Sequence, residues 1–214
     1  MKSAGAELAL PRERLLRLAS RWHNPASSGR TYCIPPGRTS TDVAALPNDA
    51  LALARESETG YVLFWSLAES HLVLPPFPVE SEAVYHGWHS GPLQSLLDRP
   101  RCTGVLLLRL GRYAVGVYEG YRLAQSKTGT RFVKGRNRKG GSSSGRFARR
   151  REEQSRALFD SACQTLEEQV TAYPGHLDHL LLGGNRLTLM AFEKRCPYLQ
   201  HMEGIRLHRV LEVR

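Results

Sequence analysis

The sequence predicts an α+β fold, a mixed sheet with flanking helices, on three observations. Four β-rich runs lie between residues 103 and 134, separated by Gly111, by Glu119-Gly120 and by Thr128-Gly129 at hairpin spacing. A long amphipathic helix follows, because Phe147, Leu158, Ala162, Leu166, Val170 and Tyr173 recur mostly at three- or four-residue steps. Beyond it the pattern reads strand, helix, strand, which sets helices against a sheet.

From the N-terminus, residues 11–22 read as a short helix with Leu15, Leu18, Ala19 and Trp22 on one side and Arg12, Arg14, Arg17 and Arg21 elsewhere. That distribution suits a docking or RNA-touching arm. Residues 24–41 are rich in Pro, Ser and Gly and read as a linker. A helix with Pro at its first position is expected over 47–56. Strands are expected over 60–67 and 71–74, halted by Pro75, Pro76 and Pro78, and a short helix over 92–98. The clearer half starts at residue 103. Its runs are 103–110, 112–118, 121–126 and 130–134, an antiparallel meander. After the long helix, 177–182 is a buried strand ending in Gly183-Gly184, Asn185 caps a helix running to about residue 195, and Ile205, Leu207, Val210, Leu211 and Val213 form a closing strand. There is no internal repeat.

Charge singles out one segment. The formal net charge is +10, and residues 131–151 alone hold nine Lys or Arg and no Asp or Glu. Without that segment the chain is close to neutral, so a polyanion is the expected partner. Nucleic acid is favoured over an acidic membrane because the segment has almost no apolar face. No run approaches a membrane span, and Lys2, Glu7, Arg12, Glu13 and Arg14 interrupt any signal-peptide core, so a soluble, cytoplasmic chain is expected. Cys33, Cys102, Cys163 and Cys196 form no C-x-x-C pair, which indicates neither a zinc ribbon nor a disulfide framework. His71, His86 and His89 have no Cys, Asp or Glu at ligand spacing, so a metal site is not favoured there.

The basic segment has two physical characters. Gly135, Gly140, Gly141 and Gly145 with Ser142, Ser143 and Ser144 bury too little apolar area to offset the entropy of ordering, so a mobile tip is expected in free solution. Arg146, Arg149, Arg150 and Arg151 instead fall in the first turns of the long helix, where the macrodipole disfavours cations. Such a cluster calls for an external anion. The Gly and Ser spacing resembles a P-loop, but Gly141 stands where that motif needs its lysine, so nucleotide hydrolysis is disfavoured. A serine nucleophile lacks a recognisable base and orienting group within the tip. A two-metal nuclease needs clustered carboxylates, and the acids here are scattered.

The run Lys139-Gly-Gly-Ser-Ser-Ser-Gly-Arg-Phe-Ala-Arg-Arg-Arg-Glu-Glu-Gln154 resembles the catalytic loop of the central domain of archaeal and eukaryotic class-1 peptide release factors. There a Gly-Gly-Gln tip is followed four residues later by Arg-Phe-Ala-Arg and a long helix. Over residues 105–133 and on to Gly183-Gly184 the chain is still more similar to the Vms-like release factors, bacterial relatives of the ribosome-quality-control peptidyl-tRNA hydrolase Vms/ANKZF. The resemblance covers about residues 100–214. It implies a ribonuclease H-like, release-factor central-domain-like sheet. Residues 1–58 would then be an N-terminal helical arm and linker, and residues 59–214 a release-factor-like catalytic domain with a tip loop at 134–146.

The implied activity is hydrolysis of the ester joining nascent peptide to tRNA, on stalled or split large ribosomal subunits. No metal, nucleotide or other cofactor is implied, and the expected partners are rRNA and peptidyl-tRNA, with the protein a monomer. Carried over by position, Gly140, Gly141, Ser142, Ser143 and Ser144 are the candidate catalytic residues. Lys134, Arg136, Arg138, Lys139, Arg146, Arg149, Arg150 and Arg151 are the candidate RNA contacts. The release-factor Gln falls on Ser142, and the Gln of the Vms-like group on Ser144. Two functions therefore stand side by side, a peptidyl-tRNA hydrolase and a non-catalytic rRNA- or tRNA-binding rescue factor.

Overall fold

Hydrophobic residues gather into separate cores in the two halves of the chain, and the computed structural model accordingly divides into two units, Met1–Arg99 and Pro100–Arg214. Residues 8–39, 48–135 and 144–211 are described. The first unit contains α1 (Arg12–Trp22), β1 (Arg30–Ile34), α2 (Asn48–Glu56), β2 (Tyr61–Trp65), β3 (Ser70–Val73), β4 (Ala83–His86) and α3 (Gly91–Asp98). Its strands form an antiparallel sheet in the order β3-β2-β1-β4.

Three expectations for this half are corrected. Residues 24–41 are not a linker, because they hold β1, an inner strand of the sheet. Cys33 faces one core with Val62, Phe64 and Ala19, while Tyr32 and Ile34 face another with Tyr61, Leu63 and Ala54. A strand covered on both faces loses the polar alternation that would betray it. Helix α1 is not a free arm. Its Ala19 is fully buried, Leu15, Leu16 and Trp22 pack on the first core, and Arg12 pairs with Asp98. The expected boundary after residue 58 also moves, since β2 to β4 pair with β1, and residues 59–99 therefore belong to the N-terminal unit.

The second unit is a mixed five-stranded sheet. It comprises β5 (Cys102–Arg109), β6 (Arg112–Glu119), β7 (Arg122–Thr130), α4 (Ser144–Thr171), β8 (His179–Gly184), α5 (Arg186–Glu193), α6 (Tyr198–His201), a 3-10 turn at Glu203–Ile205, and β9 (Arg206–Leu211). The order is β7-β6-β5-β8-β9, with β5 to β7 antiparallel and β8 and β9 parallel to β5. Helix α4 is the long crossover that makes the parallel pairing of β5 and β8 possible. Leu106 and Leu108 of β5 and Tyr113 and Val115 of β6 form one core with Leu158, Ala162 and Leu166 of α4 and Leu189 and Phe192 of α5. Asn185 caps α5 through its side chain, which accepts from the Leu187 and Thr188 amides.

Two further differences concern this unit. The third predicted run extends to Thr130 as β7, in which Thr128 and Gly129 pair with Ala114 and Tyr113 instead of turning, and the fourth predicted run, 130–134, is not a strand beyond Thr130. A Cβ at Gly129 would lie 2.3 Å from the Tyr113 ring, so this glycine makes room for an aromatic side chain. The absence of disulfides expected from the cysteine spacing is corrected by a Cys163–Cys196 disulfide, which joins α4 to the segment after α5. Cys33 is a buried thiol, pushed up to about 11 by desolvation.

Gly184 adopts φ +141°, and a Cβ there would meet the Leu108 carbonyl oxygen at 2.1 Å. Gly184→Ala is therefore expected to destabilise the fold by on the order of 3 kcal/mol, read as a lower urea midpoint with an unchanged slope.

Candidate nucleic-acid interface

The basic segment is anchored at its base before it is offered to any partner. Where β7 ends, the Arg131 amide donates to the Gly111 carbonyl at 2.9 Å, tying the chain to the β5–β6 turn. Three residues on, the Lys134 amide donates to Gln154 Oε1 at 3.0 Å, and Arg151 Nε donates to the Lys134 carbonyl at 3.0 Å. Lys134 Nζ sits 3.9 Å from the centre of the Phe147 ring, a cation–π contact. Helix and departing strand thus grip one another at both polar groups of a single peptide residue.

Farther along α4 the sheet fixes its axis. Tyr113 Oη lies within hydrogen-bond distance of Ser161 Oγ (3.0 Å) and Thr165 Oγ1 (2.9 Å). Lys127 Nζ donates to Glu168 at 2.8 Å, which holds that carboxyl below its ordinary range and the ammonium above its own. Gln125 Nε2 donates to the Gln169 carbonyl. Partners on both β6 and β7 therefore seat α4 along the sheet, and its first turns stand ahead of that seat.

Those first turns carry the charge. Helix α4 has no acidic residue in its first turn, and Arg146, Arg149 and Arg150 are exposed, with no ion-pair partner among the described residues. The nearest ion pair along the helix is Arg156 with Glu152 at 2.5 Å, which involves none of them. Arg146, in the first turn, meets the positive end of the helix dipole, and Arg149 and Arg150 add like charge in the next turn, a local electrostatic cost that a bound anion would offset.

The candidate residues therefore separate into groups. Arg146, Arg149 and Arg150 are presented outward. Lys134 and Arg151 are half-buried and engaged in the anchor, so they position the segment. Ser144 and Gly145 are not loop residues, since α4 begins at Ser144. Arg136, Arg138, Lys139, Gly140, Gly141, Ser142 and Ser143 lie outside the described residues. Gln154 is an anchoring position to which the sequence assigns no role, and nothing local marks it, because its partner amide is twenty residues away. Of the histidines, His71 stacks on Trp22 at 4.1 Å, and burial lowers its pKa. His89 Nε2 meets the His86 carbonyl at 2.8 Å. Among the described residues no group of three or more His, Cys, Asp or Glu is arranged to hold a metal ion, and no helix is long and apolar enough to cross a membrane.

Relatives of the chain are found among translation factors. Peptide chain release factor subunit 1 of Archaeoglobus fulgidus is 29% identical over 135 residues, covering 62% of this chain and 33% of that protein. The chain thus spans about a third of the length of that relative. Among solved structures, an archaeal translation termination factor, aRF1, aligns at TM-score 0.38 and 18% identity over 94% of this chain and 64% of that one. Pelota of Archaeoglobus fulgidus aligns at 0.30 and 10% identity, over 94% and 53% respectively. Residues 101–214, the whole of the second unit but its first residue, match the model of the Actinobacteria/Chloroflexi VLRF1 release factors, and the chain belongs to that release-factor family.

Proposed function

We propose that this protein hydrolyses the ester between nascent peptide and tRNA on stalled or split large ribosomal subunits, as a release factor of ribosome quality control. One observation carries the reading. A chain of a release-factor family presents exposed arginines, without carboxylate partners among the described residues, on the anchored helix end next to a Gly-Gly segment. In the reaction a water oxygen attacks the ester carbonyl carbon, and negative charge develops on the carbonyl oxygen. The bond to the ribose oxygen then breaks, and the proton lost by water passes to that oxygen.

The protein's contribution to such a step is placement and hydrogen-bond donation. Gly140 and Gly141, having no Cβ, permit backbone N–H groups to approach a crowded RNA site and donate to the developing oxyanion. The hydroxyls of Ser142, Ser143 and Ser144 are suited to hold the water. Arg136, Arg138, Lys139, Arg146, Arg149 and Arg150 supply phosphate contacts that fix position without reading sequence. A second reading is favoured by the serines themselves. With no Gln at 142 or 144, one transition-state hydrogen bond is missing, about 3 kcal/mol or roughly a hundredfold in rate, and a protein that only binds would tolerate that.

Incubation with large subunits carrying peptidyl-tRNA separates the two. Free peptide above the buffer level is expected, and binding without release would leave the non-catalytic reading. Ser144→Gln is expected to raise the release rate by up to about a hundredfold in the same assay. Arg149→Glu with Arg150→Glu should weaken co-sedimentation with large subunits and make its salt dependence shallower, by about 0.9 in logarithmic slope for each phosphate no longer neutralised.

A further inference from the structure

We infer that the β5–β6 turn and the exit from β7 form a second RNA phosphate-binding surface, built on Arg109, Arg112 and Arg131. The inference rests on the reading above, and the residues are distinct from the tip and from the arginines of α4. Arg109 and Arg112 are directly opposed in the antiparallel register, the last pair before the two-residue turn Leu110-Gly111. Residues so paired share one face of a sheet, with Cβ atoms about 5 Å apart, and like charges in that relation destabilise the pair. No carboxylate offsets them, since neither arginine has an ion-pair partner among the described residues and both are exposed or nearly so. The neighbour of Arg112 on its other side is Thr130, which brings a hydroxyl and no charge.

The third cation is fixed to the same turn. The Arg131 amide donates to the Gly111 carbonyl at 2.9 Å, and Gly111 accepts this geometry in the left-handed region at φ +101°. Arg131 is exposed and likewise without an ion-pair partner among the described residues, and Phe132 beside it is 77% exposed. An exposed aromatic ring adjoining arginines is a platform on which an unpaired base can stack. Three residues past Arg131, the Lys134 amide and carbonyl bond to Gln154 and Arg151 of α4, so this surface is tied to the helix that carries Arg146, Arg149 and Arg150. Opposed arginines without acids between them suit a chain of phosphates, whose closely spaced charges can answer both at once.

The test uses the full chain with two probes, deacylated tRNA and purified large ribosomal subunits, over a range of KCl concentrations. Arg109→Gln with Arg112→Gln is expected to bind on the order of thirtyfold more weakly at about 0.15 M salt, with a logarithmic salt slope shallower by about 1.8. Its melting midpoint should stay level or rise, because an opposed like-charge pair has been removed. Arg109→Lys with Arg112→Lys should keep the salt slope. Weakening on tRNA alone assigns the surface to tRNA, weakening on subunits alone assigns it to rRNA, and either supports the inference. Affinity and slope equal to wild type on both probes would overturn it, as would a fallen melting midpoint, which would make the pair structural. Peptide release by the wild-type protein is scored separately. A weakened variant beside a wild type that releases no peptide retains this surface and removes the hydrolase reading. Normal release beside unaltered RNA binding in the glutamine variant does the reverse.

Discussion

The apolar seam between α4 and the sheet is the contact on which every outward-facing feature of the second unit depends. Leu158, Ala162 and Leu166 are fully buried there against Leu106, Leu108 and Val115. Each leucine so buried is worth about 1.5–3 kcal/mol. That margin holds a helix whose other end is electrostatically disfavoured, since cations occupy its first turns and no acid answers them there. The fold tolerates a poor arrangement at one end of α4 because the other end is so well packed.

The anchor at Lys134 converts packing into aim. A glycine- and serine-rich segment leaving a sheet would have a wide choice of directions. Here its incoming side is held through the Lys134 amide and carbonyl, and its outgoing side is the helix that supplies both partners, Gln154 and Arg151. Two of the eight basic residues singled out by sequence serve this purpose, and of the others Arg146, Arg149 and Arg150 are exposed among those described.

Most of the second unit is legible in the sequence, and the reasons for the misreadings are physical. Strands β5, β6 and β8 and helices α4 and α5 announce themselves because one face is buried and the ends carry glycines or a capping Asn185. Strand β7 is read too short, and a further strand is expected after it, because Gly129 looks like a turn residue, although it is small to fit Tyr113. Strand β1 escapes notice for the opposite reason. Buried on both faces and flanked by Gly29, Pro35 and Pro36, it shows no alternation and sits among loop-forming residues. The Cys163–Cys196 bond and the Gln154 anchor depend on tertiary proximity across 33 and 20 residues, which no local pattern encodes. The basic cluster is legible as charge, but its division into anchoring and presented cations is not.

Helix α4 is 28 residues long, a rod of about 42 Å, and Ser144 stands roughly 15 Å ahead of Gln154 along it. A rigid rod seated on a sheet behaves as a depth gauge. Under the proposed ribosomal function, however far the sheet advanced toward a cavity rim, the arginine end would stand at one fixed distance beyond it. Shortening the rod by a turn would retract that end by about 5.4 Å, more than the length of any hydrogen bond, while leaving each side chain's chemistry untouched.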